Sequence, residues 1–120
     1  MIKDSLYQLM NIEKLDSSYT AEIELLPESI IYRAHFECMP ITPGVCLVQI
    51  AVDIIEAIEG CAKNLVEAKD IKFISIVSPN DCTNLRYFPS ENSQEKGKWS
   101  ICVYADESVC AKMSITVCNA

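Results

Sequence analysis

The longest apolar segment of the chain runs from Val45 to Ile58 and is interrupted only by Gln49, Asp53 and Glu56. Together with Gly60 these three fall at steps of four, three and four, which places them on one thin stripe of a helix and leaves the rest of its circumference apolar. A helix that is apolar nearly all round must be buried. Its ends are marked as well. Thr42 can act as N-cap, Pro43 suits the first helical position, and Gly60 can take the left-handed conformation that closes a helix. The segment is too short, and carries too many carboxylates, to cross a bilayer.

Outside this helix the pattern is mostly of period two. Residues 4–11 are the exception, with Leu6, Leu9 and Met10 at helical spacing behind Asp4 or Ser5 as a cap. Thr20 to Leu26 alternates as a half-buried strand does, and Pro27-Glu28-Ser29 makes a turn. Ile30 to Phe36 reads as a second strand, with Tyr32 and Ala34 on one face and Arg33 and His35 on the other. After Gly60 the chain reads as strand to its end. Asn64 to Ser78 is a long run with a bend at Lys69-Asp70, and Pro79-Asn80-Asp81 is a turn. Thr83 to Phe88 is closed by Pro89, and a solvated, mobile loop follows to Gly97. Trp99 to Ala105 and Val109 to Val117 flank a hairpin turn at Asp106-Glu107-Ser108. One buried helix, four strands after it and one or two before it imply an α+β domain with an antiparallel sheet covering the helix.

The 120 residues make one domain, 1–120, large enough for a real core. A formal charge of −7 with ten scattered basic residues excludes a phosphate-neutralising stripe, and with it nucleic-acid binding. Neither a signal-peptide pattern nor a membrane span is present, so a cytoplasmic protein is expected. The seven cysteines include no Cys-x-x-Cys pair, and a single histidine accompanies them, so no metal site or cofactor is expected. Most of the cysteines read as small buried hydrophobes in a reducing compartment. Cys38, three residues from His35, is the one that a nucleophilic Cys–His pair would use, although nothing in the spacing makes the two converge.

His35, the only histidine, lies in the loop that the helix N-terminus must face. Free N–H groups at Gly44 and Val45 can polarise a carbonyl oxygen there, and a neutral imidazole can take the proton this acidifies. The plainer alternative is a histidine that satisfies a loop carbonyl or ends a strand.

The run His35-Phe36-x-x-x-Pro40-x-x-Pro43-Gly44-Val45 resembles the active-site motif of hot-dog-fold beta-hydroxyacyl-[acyl carrier protein] dehydratases. Phe73, Val77, Pro79 and Asp81 are similar to a second motif of that family, a Phe-x-x-Pro-Val-x-Pro-Gly-Asp turn, with Ile76 and Asn80 in place of a proline and a glycine. The likeness extends from about residue 20 to the end. One position departs from it: the family's catalytic Glu or Asp, fourteen residues after the histidine, falls on Gln49.

The resemblance implies a hot-dog fold, a curved antiparallel sheet around one long central helix. It implies a homodimer, or a multiple of dimers, joined sheet edge to sheet edge with the active site shared between subunits. The implied substrate is a 3-hydroxyacyl chain on the pantetheine arm of acyl carrier protein, from which water is eliminated. His35 would be the base, Gly44 and Val45 the oxyanion donors, and Phe36 and Pro43 part of the substrate wall. Gln49 cannot donate a proton as an acid does; it can hold the hydroxyl or a water, and His35 would then return its proton to the departing oxygen. Asp53 lies one turn further along, and Asp53 and Glu56 read as a solvent or subunit-contact edge. A hot-dog thioesterase and a non-catalytic acyl or carrier-protein binding module are the alternatives. An acidic carrier would have to meet local positive charge drawn from Arg33, Lys63, Lys69, Lys72, Arg86 or Lys98.

Overall fold

A computed structural model describes residues 6–29, 42–80 and 82–120. The strand expected over 30–36, with His35 and Phe36, and also Cys38, Pro40 and Asp81, lie outside the described residues. The elements are β1 (Tyr7–Lys14), β2 (Tyr19–Leu25), α1 (Gly44–Glu59), β3 (Lys63–Phe73), β4 (Asn84–Glu91), β5 (Lys98–Ala105) and β6 (Ser108–Asn119). The strands form one six-stranded sheet in the order β1-β2-β4-β5-β6-β3, with every pairing antiparallel.

The sheet exists to cover α1. Cys46, Leu47, Val48, Ile50, Ala51, Val52, Ile54 and Ile55 of the helix are all buried. They join one core with Ala21, Ile23 and Leu25 of β2, Leu85 and Tyr87 of β4, Trp99, Ile101 and Val103 of β5, and Met113, Ile115 and Val117 of β6. Every second residue of these strands points inward, as the pleat requires. Tyr87 supplies a polar tie in this core: its O–H donates to the Leu47 carbonyl at 2.9 Å. Burial pushes its phenol well above the ordinary tyrosine range, so it stays a donor.

The helix ends as expected at Gly60, whose φ of 71° is left-handed and whose N–H donates to the Glu56 carbonyl. There the chain is stapled to the next strand. The Glu56 carboxylate accepts the Lys63 N–H at 2.7 Å, and Lys63 pairs with Glu59. Glu56 is thus a joint between α1 and β3 rather than a solvent edge. No described helix is long and apolar enough to cross a membrane.

Several sequence expectations are corrected. The amino-terminal segment is a strand: Tyr7 and Leu9 point at the core, and a register shift between Leu9 and Asn11 moves the alternation to Ile12. Leu6, Leu9 and Met10 nonetheless fall at helical spacing in the sequence. Helix α1 begins one residue later than expected, with Pro43 as its cap and no side-chain capping bond. Thr42 is instead buried, its N–H given to the Val77 carbonyl at 2.7 Å. The long run after Gly60 is strand only as far as Phe73. Its bend is real, since Asp70 has φ 50° within a register shift between Lys69 and Lys72. Pro89 lies inside β4, opposite Ile101, rather than at its end. The pairing of β2 with β4 stops at Tyr87, so the missing N–H of Pro89 interrupts no ladder on that side.

The cysteines are also less buried than expected. Cys46 and Cys110 are buried, Cys82 and Cys102 are half-buried, and Cys61 and Cys118 are exposed. Burial pushes the Cys110 thiol up to about 11 and raises Cys46 as well, which keeps both protonated at neutral pH. Only thiolates react readily. In the native protein at about pH 8, Cys61 and Cys118 should therefore be the first of the described cysteines to be alkylated, and Cys110 only on unfolding. Peptide mass mapping of a timed iodoacetamide reaction checks this. Modification of Cys110 as fast as Cys61 would contradict the packing of β6.

Candidate active site

Among the described residues, no side chain caps the N-terminus of α1, the positive end of the helix dipole. Pro43, at φ −60° and ψ 144°, turns the chain into the helix, and no acidic residue lies in the first turn. The N–H groups of Cys46 and Leu47 both turn back to the Pro43 carbonyl, at 3.0 and 3.2 Å. Those of Gly44 and Val45 meet no acceptor among the described residues. They are two of the orphan donors that every helix start presents. Val45 is 76% exposed even though it opens an otherwise buried helix. The approach to this terminus is held by Thr42 on the Val77 carbonyl and by the buried run Val77, Ser78 and Pro79.

Gly44 is required by close approach rather than by its backbone angles. A Cβ there would stand 2.5 Å from Cζ of Phe73, which arrives from the end of β3. The two motifs that sequence reading treated separately therefore meet in space, with the phenyl ring lying on the first residue of the helix. Around it the surface is apolar and open: Val45, Phe73, Ile74 and Ile76 are all more than half exposed. Such a rim is what a shared interface or an acyl chain would cover.

About one and a half turns into the helix, roughly 7.5 Å along its axis from Gly44, lies Gln49. It is half-buried, and its Nε2 donates to Asp53 Oδ1 at 2.9 Å. The other carboxylate oxygen, Oδ2, accepts the O–H of Tyr7 at 2.8 Å. Tyr7 is only 1% exposed and comes from β1, 46 residues away in sequence. Asp53 is therefore no solvent edge. It lies between a core phenol and the amide at the position where the resemblance expects the acid. Tyr7 was missed because its segment read as a helix; the (i, i+4) relation of Gln49 and Asp53 was the visible signal.

Of the residues expected at the site, Pro43, Gly44, Val45 and Gln49 lie together on the amino-terminal half of α1. His35 and Phe36 lie outside the described residues. Among the described residues no cluster of three or more His, Cys, Asp or Glu can hold a metal ion.

A protein-family model described as ApeI-like, ApeI dehydratase, matches residues 11–114. Among solved structures, a chain of the dehydratase heterocomplex ApeI:P from Xenorhabdus doucetiae superposes with a TM-score of 0.78 at 16% identity, over 93% of this chain and 97% of that one. A sigma28-regulated virulence protein from Campylobacter jejuni gives 0.70 at 13% identity, over 98% and 87%. A thioesterase from Pseudomonas aeruginosa, in mutant form, gives 0.62 at 14% identity, over 88% and 77%. No curated protein matches in sequence. The sheet wrapped on one helix is thus the hot-dog fold, and at these identities the fold is all that the solved structures share with this chain.

The contact of Gly44 with Phe73 is directly testable. Gly44→Ala should cost about 1–3 kcal/mol of stability through overpacking, toward the low end because the half-exposed ring can swing away. In a Phe73→Ala background the same change should cost almost nothing. Urea midpoints of the four proteins decide it, and an equal cost in both backgrounds would contradict the contact.

Proposed function

The chain belongs to the ApeI-like dehydratase family, and on that premise we propose that it eliminates water from a 3-hydroxyacyl thioester carried on acyl carrier protein. The observation that carries the proposal is the start of α1, where the Gly44 and Val45 N–H groups meet no acceptor among the described residues and no acidic residue lies in the first turn. These donors hold the thioester oxygen and acidify the C2 proton. His35 removes that proton, the C3–O bond breaks, and the imidazolium returns the proton to the departing oxygen, so that enoyl thioester and water leave. Gln49 holds the hydroxyl by hydrogen bonding, while Phe36 and Pro43 wall the mouth.

The site is shared in a homodimer, His35 from one subunit and Gln49 from the other. Support comes from β3, which pairs only with β6 among the described strands and leaves Leu65, Val66 and Phe73 exposed along an open edge. An edge strand with unpaired backbone groups is a template for another chain. A second reading has a different subunit on this edge. It is supported by the likeness to a chain of a dehydratase heterocomplex and by the missing acid at position 49.

Carrier recognition would have to be local. Lys63, Lys69 and Lys98 each pair with a glutamate of the same chain. Lys72 and Lys112, opposite one another in the β3–β6 register and both exposed, supply positive charge one residue from Phe73.

Intact-mass measurement on 3-hydroxyacyl, enoyl and saturated acyl carrier protein tests the reading. Loss of water from the first, or its gain by the second, is expected, and His35→Ala should abolish both with the fold intact. Release of free acid would replace the reading with a thioesterase, and saturable binding without turnover with a binding module. Sedimentation should show a dimer or a multiple of dimers, and a stable monomer at micromolar concentration would remove the shared site.

A further inference from the structure

The amide of Gln49 is not free to choose which end it presents. Both oxygens of Asp53 are occupied by donors of the same chain, Oδ2 by the Tyr7 O–H and Oδ1 by Gln49 Nε2. A carboxylate only accepts, so it selects the nitrogen end of the amide and turns the carbonyl oxygen, Oε1, away from itself. An isolated (i, i+4) pair on a helix surface is worth only about 0.2–0.5 kcal/mol and would not hold a rotamer. Here the carboxylate is itself tied to a phenol that is 1% exposed and fixed in the sheet, and hydrogen bonds to charged groups are the stronger kind. Tyr7, Asp53 and Gln49 form a chain of bonds that runs from the core to position 49.

We propose that Asp53, anchored by Tyr7, is a positioning residue that locks Gln49 with its carbonyl oxygen toward the substrate, so that position 49 acts as a hydrogen-bond acceptor for the 3-hydroxyl. This rests on the dehydratase reading and deepens it. The hydroxyl proton points at Gln49 Oε1, which leaves the oxygen's lone pairs open to the proton that His35 returns. As the C3–O bond breaks, that oxygen carries its own proton and the one from the imidazolium, and departs as water. Position 49 thus orients the leaving group without donating to it, which a single-base elimination requires. The lock also explains an aspartate on a helix whose other faces are apolar.

Two measurements on the whole protein test the lock. By NMR, the side-chain amide protons of Gln49, identified by their loss in Gln49→Ala, should exchange about tenfold more slowly than those of exposed Gln94. Asp53→Asn should remove this protection, because an amide at position 53 accepts either end of Gln49. Exchange as fast as that of Gln94 in the wild type would overturn the lock. In turnover of a 3-hydroxyacyl pantetheine thioester, Asp53→Asn should lower kcat about tenfold with little change in KM. That loss should vanish in a Gln49→Ala background. An equal loss in both backgrounds would reduce Asp53 to a structural residue and overturn the positioning role. If the wild type eliminates no water at all, the dehydratase reading fails, and with it the role toward substrate, while amide exchange still decides the lock.

Discussion

The structure depends on the burial of one helix that has almost no polar surface. Eight of the residues of α1 are buried, and a helix of this composition has no stable existence in water without a cover. At roughly 25 cal/mol per Å² of apolar surface, the side chains from Cys46 to Ile55 supply the main reason for six strands to curl around them. The same constraint shapes the chemistry. A helix sealed along its length offers polar groups only at its open N-terminus and on its one polar stripe. The Gly44 and Val45 N–H groups and Gln49 are therefore nearly all that α1 can offer a substrate.

The stripe itself is drawn into the fold. Glu56 binds the Lys63 N–H where the chain turns from α1 into β3, and Asp53 binds the phenol of Tyr7. Each carboxylate on an otherwise apolar helix has a specific partner, as partly buried charges must. Gln49, bonded to Asp53, is the stripe residue nearest the helix start.

Much of this was legible in the sequence. The helix, its C-terminal glycine and the β5–β6 hairpin follow from periodicity and turn residues, and the family resemblance of the His35-to-Val45 motif implied the hot-dog architecture. What was not legible has physical causes. Leu6, Leu9 and Met10 fall at helical spacing in the sequence, while in β1 a bulge between Leu9 and Asn11 shifts the inward alternation to Ile12, so local pattern and tertiary pairing disagree. Pro89 reads as a strand end because sequence does not reveal where β2 stops running beside β4. Tyr7 and Asp53 are 46 residues apart, and no periodicity links an edge strand to a helix stripe. The meeting of Gly44 with Phe73 joins two motifs whose proximity only the fold creates. At the site, sequence pointed to the start of α1 and to position 49, but not to what holds Gln49 in place.

The central claim is that one base, with no separate acid, carries the elimination. The pH dependence of kcat/KM for water loss from a 3-hydroxyacyl thioester, followed from about pH 5 to about pH 10, tests it most directly. The account predicts a single rising limb, as the imidazolium loses its proton, and a plateau above it. A bell-shaped profile, with a falling limb that reports a second essential group in its protonated form, would contradict it.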